Sequence, residues 1–554
     1  MWPNSIIHRA HSLVYHFSKI GYRRYKYSLS HVESAQRNKL KELLQFSFKT
    51  EFGRKHNLSK DFSWEDFKER IPITEYPDYE PFVARQKENG GLVVSGETFN
   101  RYQPTSGSTS KIKWIPYTKK FLSECDEAIA PWIVDIYKRE KRLFYGKHYW
   151  SLSWIPTELR NKINTNANDD LKLLPFWKRL LMSMTMAVPN DISFASSSEG
   201  SIIATLAYLA STKNLALISV WSPTFALNLF EQMKKHRLEL ADILKEGHWG
   251  NFQDELSFIP CPRSEEASSI MTHWDGTISS DFFMELWPTM AMISSWDCSS
   301  STLWAHDLEN LFPKATFQGK GLWATEGVVT IPFEGKYPLA VTSHFYEFED
   351  LESENIYPAW GLEKGQVVKP LLTTGSGFLR YALRDRLKVV DFIDGCPCFS
   401  FLGRIDGVDL VGEKLSPEIA MNIIERVSDK YDIRALSLLG VTQGRNGWEK
   451  PNYVLLCESD KRKVAEDDIA QYIEEILQES FHYKLARDID QLSPAKALVR
   501  PNARELYIRR GERRGMTLGD MKIEPLIACR FDELHDIVGI TKRSSHSGSN
   551  SKNI

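Results

Sequence analysis

Between residues 119 and 236 the spacing of apolar residues switches period several times, and that alternation constrains the fold more than any other feature. Phe121, Leu122, Ala128, Ile129, Trp132, Ile133 and Ile136 fall on one side of a helix drawn over 119–142. Residues 199–212 read as a second helix, and 215–221 as a short apolar run that suits a buried strand. A third helix over 224–236 carries Phe225, Leu229, Phe230 and Met233 in register. Strands buried between helices argue for an α/β fold.

Upstream, Leu40, Leu43, Leu44 and Phe48 give helical spacing over 34–48. Ser63 with Asp66 three residues later forms a capping box for a short helix. Pro72, Pro77 and Pro81 are expected to break the next stretch into turns. Strand signals follow at 315–318, 327–333, 339–345 and 378–381. Beyond residues 401–407 the pattern becomes compact: helix 417–431, strands 434–442 and 452–457, helix 465–482, strand 495–500. We therefore expect a large domain over 1–404, a small α+β domain over 405–540, and a polar, disordered tail over 541–554.

Composition excludes several classes. A net charge of −2 lacks the basic excess that phosphate backbones demand, so no nucleic-acid partner is expected. Lys213 and Asn214 interrupt the most apolar long stretch, 200–221, so no spanning helix and no membrane partner is expected. No secretory signal is read in the first thirty residues. The seven cysteines include no C-x₂-C pair, and Cys396-Pro-Cys398 has the wrong spacing for a redox motif. Reduced thiols and a cytoplasmic location are the expectation. Sixteen tryptophans suit either a sizeable apolar cavity or ordinary core packing.

The chemistry concentrates in a series of segments. In Gln103-Pro-Thr-Ser-Gly-Ser-Thr-Ser110, hydroxyl residues surround Gly107, and Lys111 and Lys113 follow. Glycine lets the backbone approach an anion, hydroxyls and N–H groups bond phosphate oxygens, and a lysine adds charge. The G-x-x-x-x-G-K-[ST] spacing of a Walker loop is absent, and the same residues also suit a plain polar loop. In residues 318–327, glycines bracket a segment ending in Thr325 and Glu326, where a carboxylate could meet Mg²⁺; a Gly-rich turn with a surface Glu reads equally well. Asp385, at the end of 373–385, could accept ribose hydroxyls or belong to a surface charge cluster. Arg404, in Gly403-Arg-Ile-Asp-Gly407, can reach a phosphate or ribose at a flexible boundary or lie in a hairpin loop. Lys522 completes the order near the C-terminus.

In that order the segments resemble the adenylate-forming superfamily, and more closely the Gretchen Hagen (auxin-responsive) acyl-acid amido synthetases in their bacterial branch. Lys49-Thr-Glu-Phe-Gly-Arg-Lys-His56, Gln103-Pro-Thr-Ser-Gly-Ser, Ile115-Pro-Tyr-Thr118, Trp221-Ser-Pro and Ala324-Thr-Glu-Gly-Val328 carry the likeness. The resemblance implies a large N-terminal domain holding ATP and a carboxylic acid, and a small mobile C-terminal domain. It implies a phosphate loop at Ser106, Gly107, Ser108, Thr109 and Ser110 with Lys113 as catalytic lysine. It implies nucleotide contacts at Trp323, Ala324, Thr325 and Glu326, with Glu326 also the Mg²⁺ ligand. Asp385 would take the ribose, Arg404 a further nucleotide contact, Asp406 the hinge, and Lys522 the adenylation step. Three positions depart from the pattern: Arg384 replaces a glycine, Leu322 an aromatic, and Lys111 follows Ser110 where a second loop glycine is usual.

The activity so implied is ATP- and Mg²⁺-dependent formation of an acyl-adenylate, then amide formation with an amine acceptor, which the resemblance implies is an amino acid. An acyl-CoA or aryl-CoA ligase shares the first half of that chemistry. The three departures keep open a nucleotide-binding protein without turnover. Acyl-pocket residues are expected within 198–208, 221–225 and 296–304.

Overall fold

The computed structural model describes residues 4–98, 101–106, 112–151, 181, 183–298, 301–405, 407–411, 413, 415–442, 450–460, 465–488, 491–513, 521–531 and 533–534. The chain divides into two compact units, residues 1–405 with 515–522, and residues 406–514 with 523–554.

In the first unit a parallel sheet runs β3 (Lys147–Trp150), β4 (Leu215–Ser219), β5 (Met292–Ser295), β6 (Thr316–Gly319). β4 and β5 are buried throughout, as strands covered on both faces must be. The expected helices are present as Lys119–Arg139, Ser198–Ala210 and Pro223–Lys235. Parallel strands all end at one edge of the sheet, so Trp150, Ser219, Ser295 and Gly319 come together at their carboxyl ends.

Before this sheet, β1 (Tyr102–Ser106) and β2 (Ile112–Pro116) pair antiparallel. After it comes a two-residue pair, β7 (Trp323–Ala324) with β8 (Gly327–Val328). A second sheet, antiparallel, has the order β10 (Ile356–Pro358), β9 (Phe345–Asp350), β11 (Val367–Thr373), β13 (Asp385–Ile393), β14 (Cys396–Arg404). The short β12 (Tyr381–Ala382) adds to β11. β13 is half-exposed, β14 is buried over its first four residues and partly exposed after them, and the pair carries two register shifts, so neither shows a clean alternation for sequence reading to find.

Four expectations need correction. The strand expected over 378–381 is met only at Tyr381, which opens β12; residues 378–380 lie in no strand. Pro77 and Pro81 lie within one helix, Tyr76–Asn89. Pro77 occupies its first turn, where the missing N–H has no intrahelical partner anyway. Buried Tyr79, Phe82, Val83 and Gln86 hold the helix past Pro81. The runs 327–333 and 339–345 are mostly not strands: beyond β8 and Phe345, which opens β9, they contribute only isolated bridges such as Thr330 with Leu339. Val329, Ile331, Phe333, Leu339, Ala340 and Val341 are completely buried, so their apolar character reports packing rather than a strand. The helix expected over 465–482 divides into Glu466–Leu477 and Phe481–Asp488.

The second unit contains a four-stranded sheet, β17 (Lys496–Arg500), β16 (Asn452–Glu458), β15 (Arg434–Val441), β18 (Leu526–Cys529). Ile423 and Val427 of helix Pro417–Tyr431 and Ile469, Ile473 and Leu477 of Glu466–Leu477 pack into its core. The tail over 541–554 lies outside the described residues.

All seven cysteines are free. Cys396 and Cys398 sit two apart in β14, both buried, and burial pushes the Cys398 thiol up to about 12. Among the described residues no helix is long and apolar enough to cross a membrane.

Candidate active site

The β1–β2 pair places Thr105 opposite Lys113 and Ser106 opposite Ile112. Ser106 ends β1, while Gly107, Ser108, Thr109 and Ser110 lie outside the described residues. On β2 the Trp114 N–H donates to the Tyr76 hydroxyl at 2.7 Å, which ties this strand to the helix Tyr76–Asn89.

Lys113 is half-buried and its Nζ donates to the Tyr381 hydroxyl at 3.5 Å. That hydroxyl donates onward to Glu326 Oε1 at 3.3 Å. The two charged residues singled out from sequence, 213 positions apart in the numbering, are therefore joined through one phenol that was not singled out. Tyr381 is 2% exposed, and burial, then the Glu326 charge, push its pKa well up. It acts as a fixed neutral hydroxyl.

Glu326 is presented by a tight hairpin. Trp323 pairs with Val328 and Ala324 with Gly327, so Thr325 and Glu326 form the two-residue turn. The Tyr117 hydroxyl donates to the Thr325 carbonyl at 3.3 Å, holding the turn against the end of β2. Gly327 is required by space: a Cβ there would come within 2.6 Å of Leu372 Cδ2 and 3.1 Å of the His344 ring. Behind that contact His344 Nδ1 meets Glu124 Oε2 at 2.7 Å, and the Gly375 N–H donates to the same oxygen at 2.8 Å. This buried pair locks helix Lys119–Arg139, the backbone behind the hairpin, and the turn after β11 into one support.

Tyr381 is placed by its neighbour. Arg380 has φ +48°, an unusual backbone for a side-chain-bearing residue. Its guanidinium pairs with Glu347 Oε2 at 2.8 Å and donates to the carbonyls of Lys68 and Ile71. The Trp64 indole N–H donates to the other Glu347 oxygen at 3.1 Å. Burial raises the Glu347 carboxyl, and the Arg380 charge opposes that shift. The ion pair fixes the backbone kink from which β12 starts.

Asp385 and Arg404 stand opposite each other across β13 and β14. Arg384, where the family pattern has glycine, pairs with Glu75 at 3.1 Å. Trp323 is half-buried, with its ring 6.2 Å from Trp132 and 5.8 Å from Trp221. Lys522, in the same compact unit, lies with Nζ 3.6 Å from the centre of the Trp296 ring. Asp406 lies outside the described residues.

The arrangement offers a cation beside a strand hairpin, a carboxylate on a rigid turn, and a hydroxyl linking them. Among the described residues no three acidic, histidine or cysteine side chains gather into a metal cage. One carboxylate is the donor that Mg²⁺ commonly uses when phosphates supply other ligands. Tyr381, Glu124, His344, Arg380 and Glu347 escaped sequence reasoning. The one available signal was that Arg380 and Tyr381 fall inside the 373–385 segment already marked for Asp385.

The chain matches the GH3 family N-terminal domain over residues 22–317 and the GH3 family central domain over residues 337–404. It is 21% identical over 408 residues to the indole-3-acetic acid-amido synthetase GH3.15 of Arabidopsis thaliana, 68% of each protein. The solved GH3.15 acyl acid amido synthetase superposes with a TM-score of 0.77 at 18% identity, covering 92% of this chain and 94% of that one. The same synthetase in complex with 2,4-DB gives a TM-score of 0.78 at 17% identity, covering 94% and 96%.

Proposed function

Because the chain belongs to the GH3, or Gretchen Hagen, family, we propose that it activates a carboxylic acid as an acyl-adenylate and transfers the acyl group to an amine. The observation that carries this reading is the Lys113–Tyr381–Glu326 chain beside the β1–β2 hairpin. A carboxylate is a poor electrophile because its oxygen leaves badly. In the first step that oxygen attacks the α-phosphorus of ATP, a new P–O bond forms, and the bond to pyrophosphate breaks. Negative charge spreads over phosphate oxygens in the transition state, so positioning and electrostatic stabilisation supply the catalysis.

Lys113 meets that charge from β2. Tyr381 keeps Lys113 and Glu326 in register while remaining protonated. Glu326, backed by Gly327 and the Glu124–His344 pair, would hold Mg²⁺, which would supply positive charge against the phosphates. Thr325 lies at the same turn and contacts the phosphate. Ser106 and the loop through Ser110 supply further donors, and Asp385 and Arg404 hold the ribose side. Lys522 assists adenylation. The amine then attacks the acyl carbon and AMP departs. An amino acid is the acceptor of choice, since the relatives are named amido synthetases.

Product analysis tests the acceptor. The protein is incubated with ATP, Mg²⁺, a panel of aryl, indole and alkyl acids, and either mixed amino acids or coenzyme A. An acid- and amino-acid-dependent amide is expected. A thioester in place of the amide would make the protein a CoA ligase. ATP binding without any product would make it a nucleotide binder.

A further inference from the structure

At the carboxyl edge of the parallel sheet, just past β6, sits a lysine that the reaction above does not use. Lys320 is 5% exposed. Its Nζ donates to Ser219 Oγ, at the end of β4, at 2.8 Å. The rings of Trp221, Trp132 and Trp150 surround it with centres 4.9, 5.0 and 5.9 Å away. Among the described residues no carboxylate pairs with it. Asp297 and Tyr337, which lie against Gly319, bond each other at 2.9 Å. Burial alone lowers the lysine to about 7.

A buried ammonium without a counter-charge is costly, and ring faces compensate it only in part. Structural packing alone would be served better by an apolar side chain. The surroundings resemble a receptor instead. Trp150, Trp221, Trp296 and Trp323 are each half-buried, so flat apolar surface remains accessible beside the lysine. Ligands of parallel sheets bind outside the carboxyl ends of the strands, where this cluster lies. Trp323 packs against Trp221 and Trp132 and directly precedes the Ala324-Thr325-Glu326 segment, so the cage adjoins the phosphate chemistry.

We propose that Lys320 binds the carboxylate of the acid substrate, with the tryptophans around it taking the substrate's apolar body. This rests on the acid-activation reading and adds a positioning and specificity residue to it. The incoming carboxylate supplies the counter-charge that no described residue provides. Lys320 orients the oxygen that attacks phosphorus and remains unchanged.

The test is equilibrium binding by intrinsic tryptophan fluorescence on the full chain. The probes are indole-3-acetate, 4-phenylbutanoate and decanoate, each beside its primary amide, with wild type, Lys320→Met and Lys320→Gln. At least one carboxylate is expected to bind wild type about 10- to 100-fold more tightly than its amide, the contribution of one charge-assisted hydrogen bond. Both variants should lose that preference while keeping ATP affinity and melting temperature at or above wild type. Because only the protonated lysine attracts the carboxylate, wild-type affinity should fall about tenfold per pH unit above 7, and the variants should not follow. Equal affinity for carboxylate and amide, unchanged carboxylate affinity in both variants, or no carboxylate binding at all would overturn the assignment. Pyrophosphate release is measured on the same samples. Carboxylate binding without release sinks the adenylation reading and keeps the lysine. Release with an unchanged KM for the acid in both variants sinks the lysine and keeps the reading.

Discussion

Tyr381→Phe removes one oxygen atom from the point where Lys113 and Glu326 meet. Both contacts, 3.5 and 3.3 Å, are longer than the usual length for a phenolic hydrogen bond. A hydrogen bond to a charged group contributes ~1.5–3 kcal/mol at good geometry, so the lower end applies, about 1.5 kcal/mol. That corresponds to a roughly tenfold fall in kcat/KM for acid-dependent pyrophosphate release. Lys113→Ala removes the charge itself and is expected to cost ~10²–10³. The two residues act as one unit, so the double variant should be little worse than Lys113→Ala alone. The assay is continuous pyrophosphate release at saturating ATP, with a thermal melt to confirm folding. A Tyr381→Phe rate within twofold of wild type, or fully additive losses, would refute the coupling.

Gly327→Ala forces a methyl group to within 2.6 Å of Leu372, and such overpacking costs ~1–3 kcal/mol. A lower melting temperature and weakened pyrophosphate release should appear together. Arg380→Met leaves Glu347 buried without its cation and should cost ~3–5 kcal/mol, partly recovered in Arg380→Met/Glu347→Gln, as calorimetry would show. His11, buried with Nδ1 2.5 Å from the Tyr137 hydroxyl and Nε2 2.8 Å from the Gly146 carbonyl, is lowered from 6.5 to about 4, chiefly by burial. The unfolded chain takes up a proton near pH 6.5 that the folded chain refuses, so stability present above pH 6.5 is lost progressively toward pH 4. Urea midpoints should therefore fall between pH 7.5 and 5, with a shallower fall in His11→Gln.

The parts of the fold that could be read in advance are those with strong local periodicity. Helix Pro417–Tyr431 matches its expected bounds closely because it has one buried face, and β15 and β16 because they are buried almost throughout and read as continuous apolar runs. The helix Asn4–Leu29 has no counterpart in the sequence reading: its buried set includes His11 and Ser28, while Leu13, Phe17 and Ile20 are exposed, so its apolar spacing does not mark its buried face. In the site, residue chemistry singled out Lys113 and Glu326. It could not place Tyr381 between them, since that depends on a kink held by Glu347, 33 positions before Arg380. Trp221 and Trp296 fell within the expected acyl-pocket segments, and their rings lie 5.8 Å apart. Lys320 read as part of a glycine-rich turn because its burial depends on Trp132, Trp150 and Trp221 from other elements.

Hydroxamate trapping tests the central claim most directly. The purified protein is incubated with ATP, Mg²⁺, hydroxylamine and the acid panel, and hydroxamate and pyrophosphate are followed together. Matched, acid-dependent formation of both, abolished in Lys113→Ala and reduced in Glu326→Ala, is the predicted result. Neither product with any acid, or equal yields in wild type and Lys113→Ala, would contradict it.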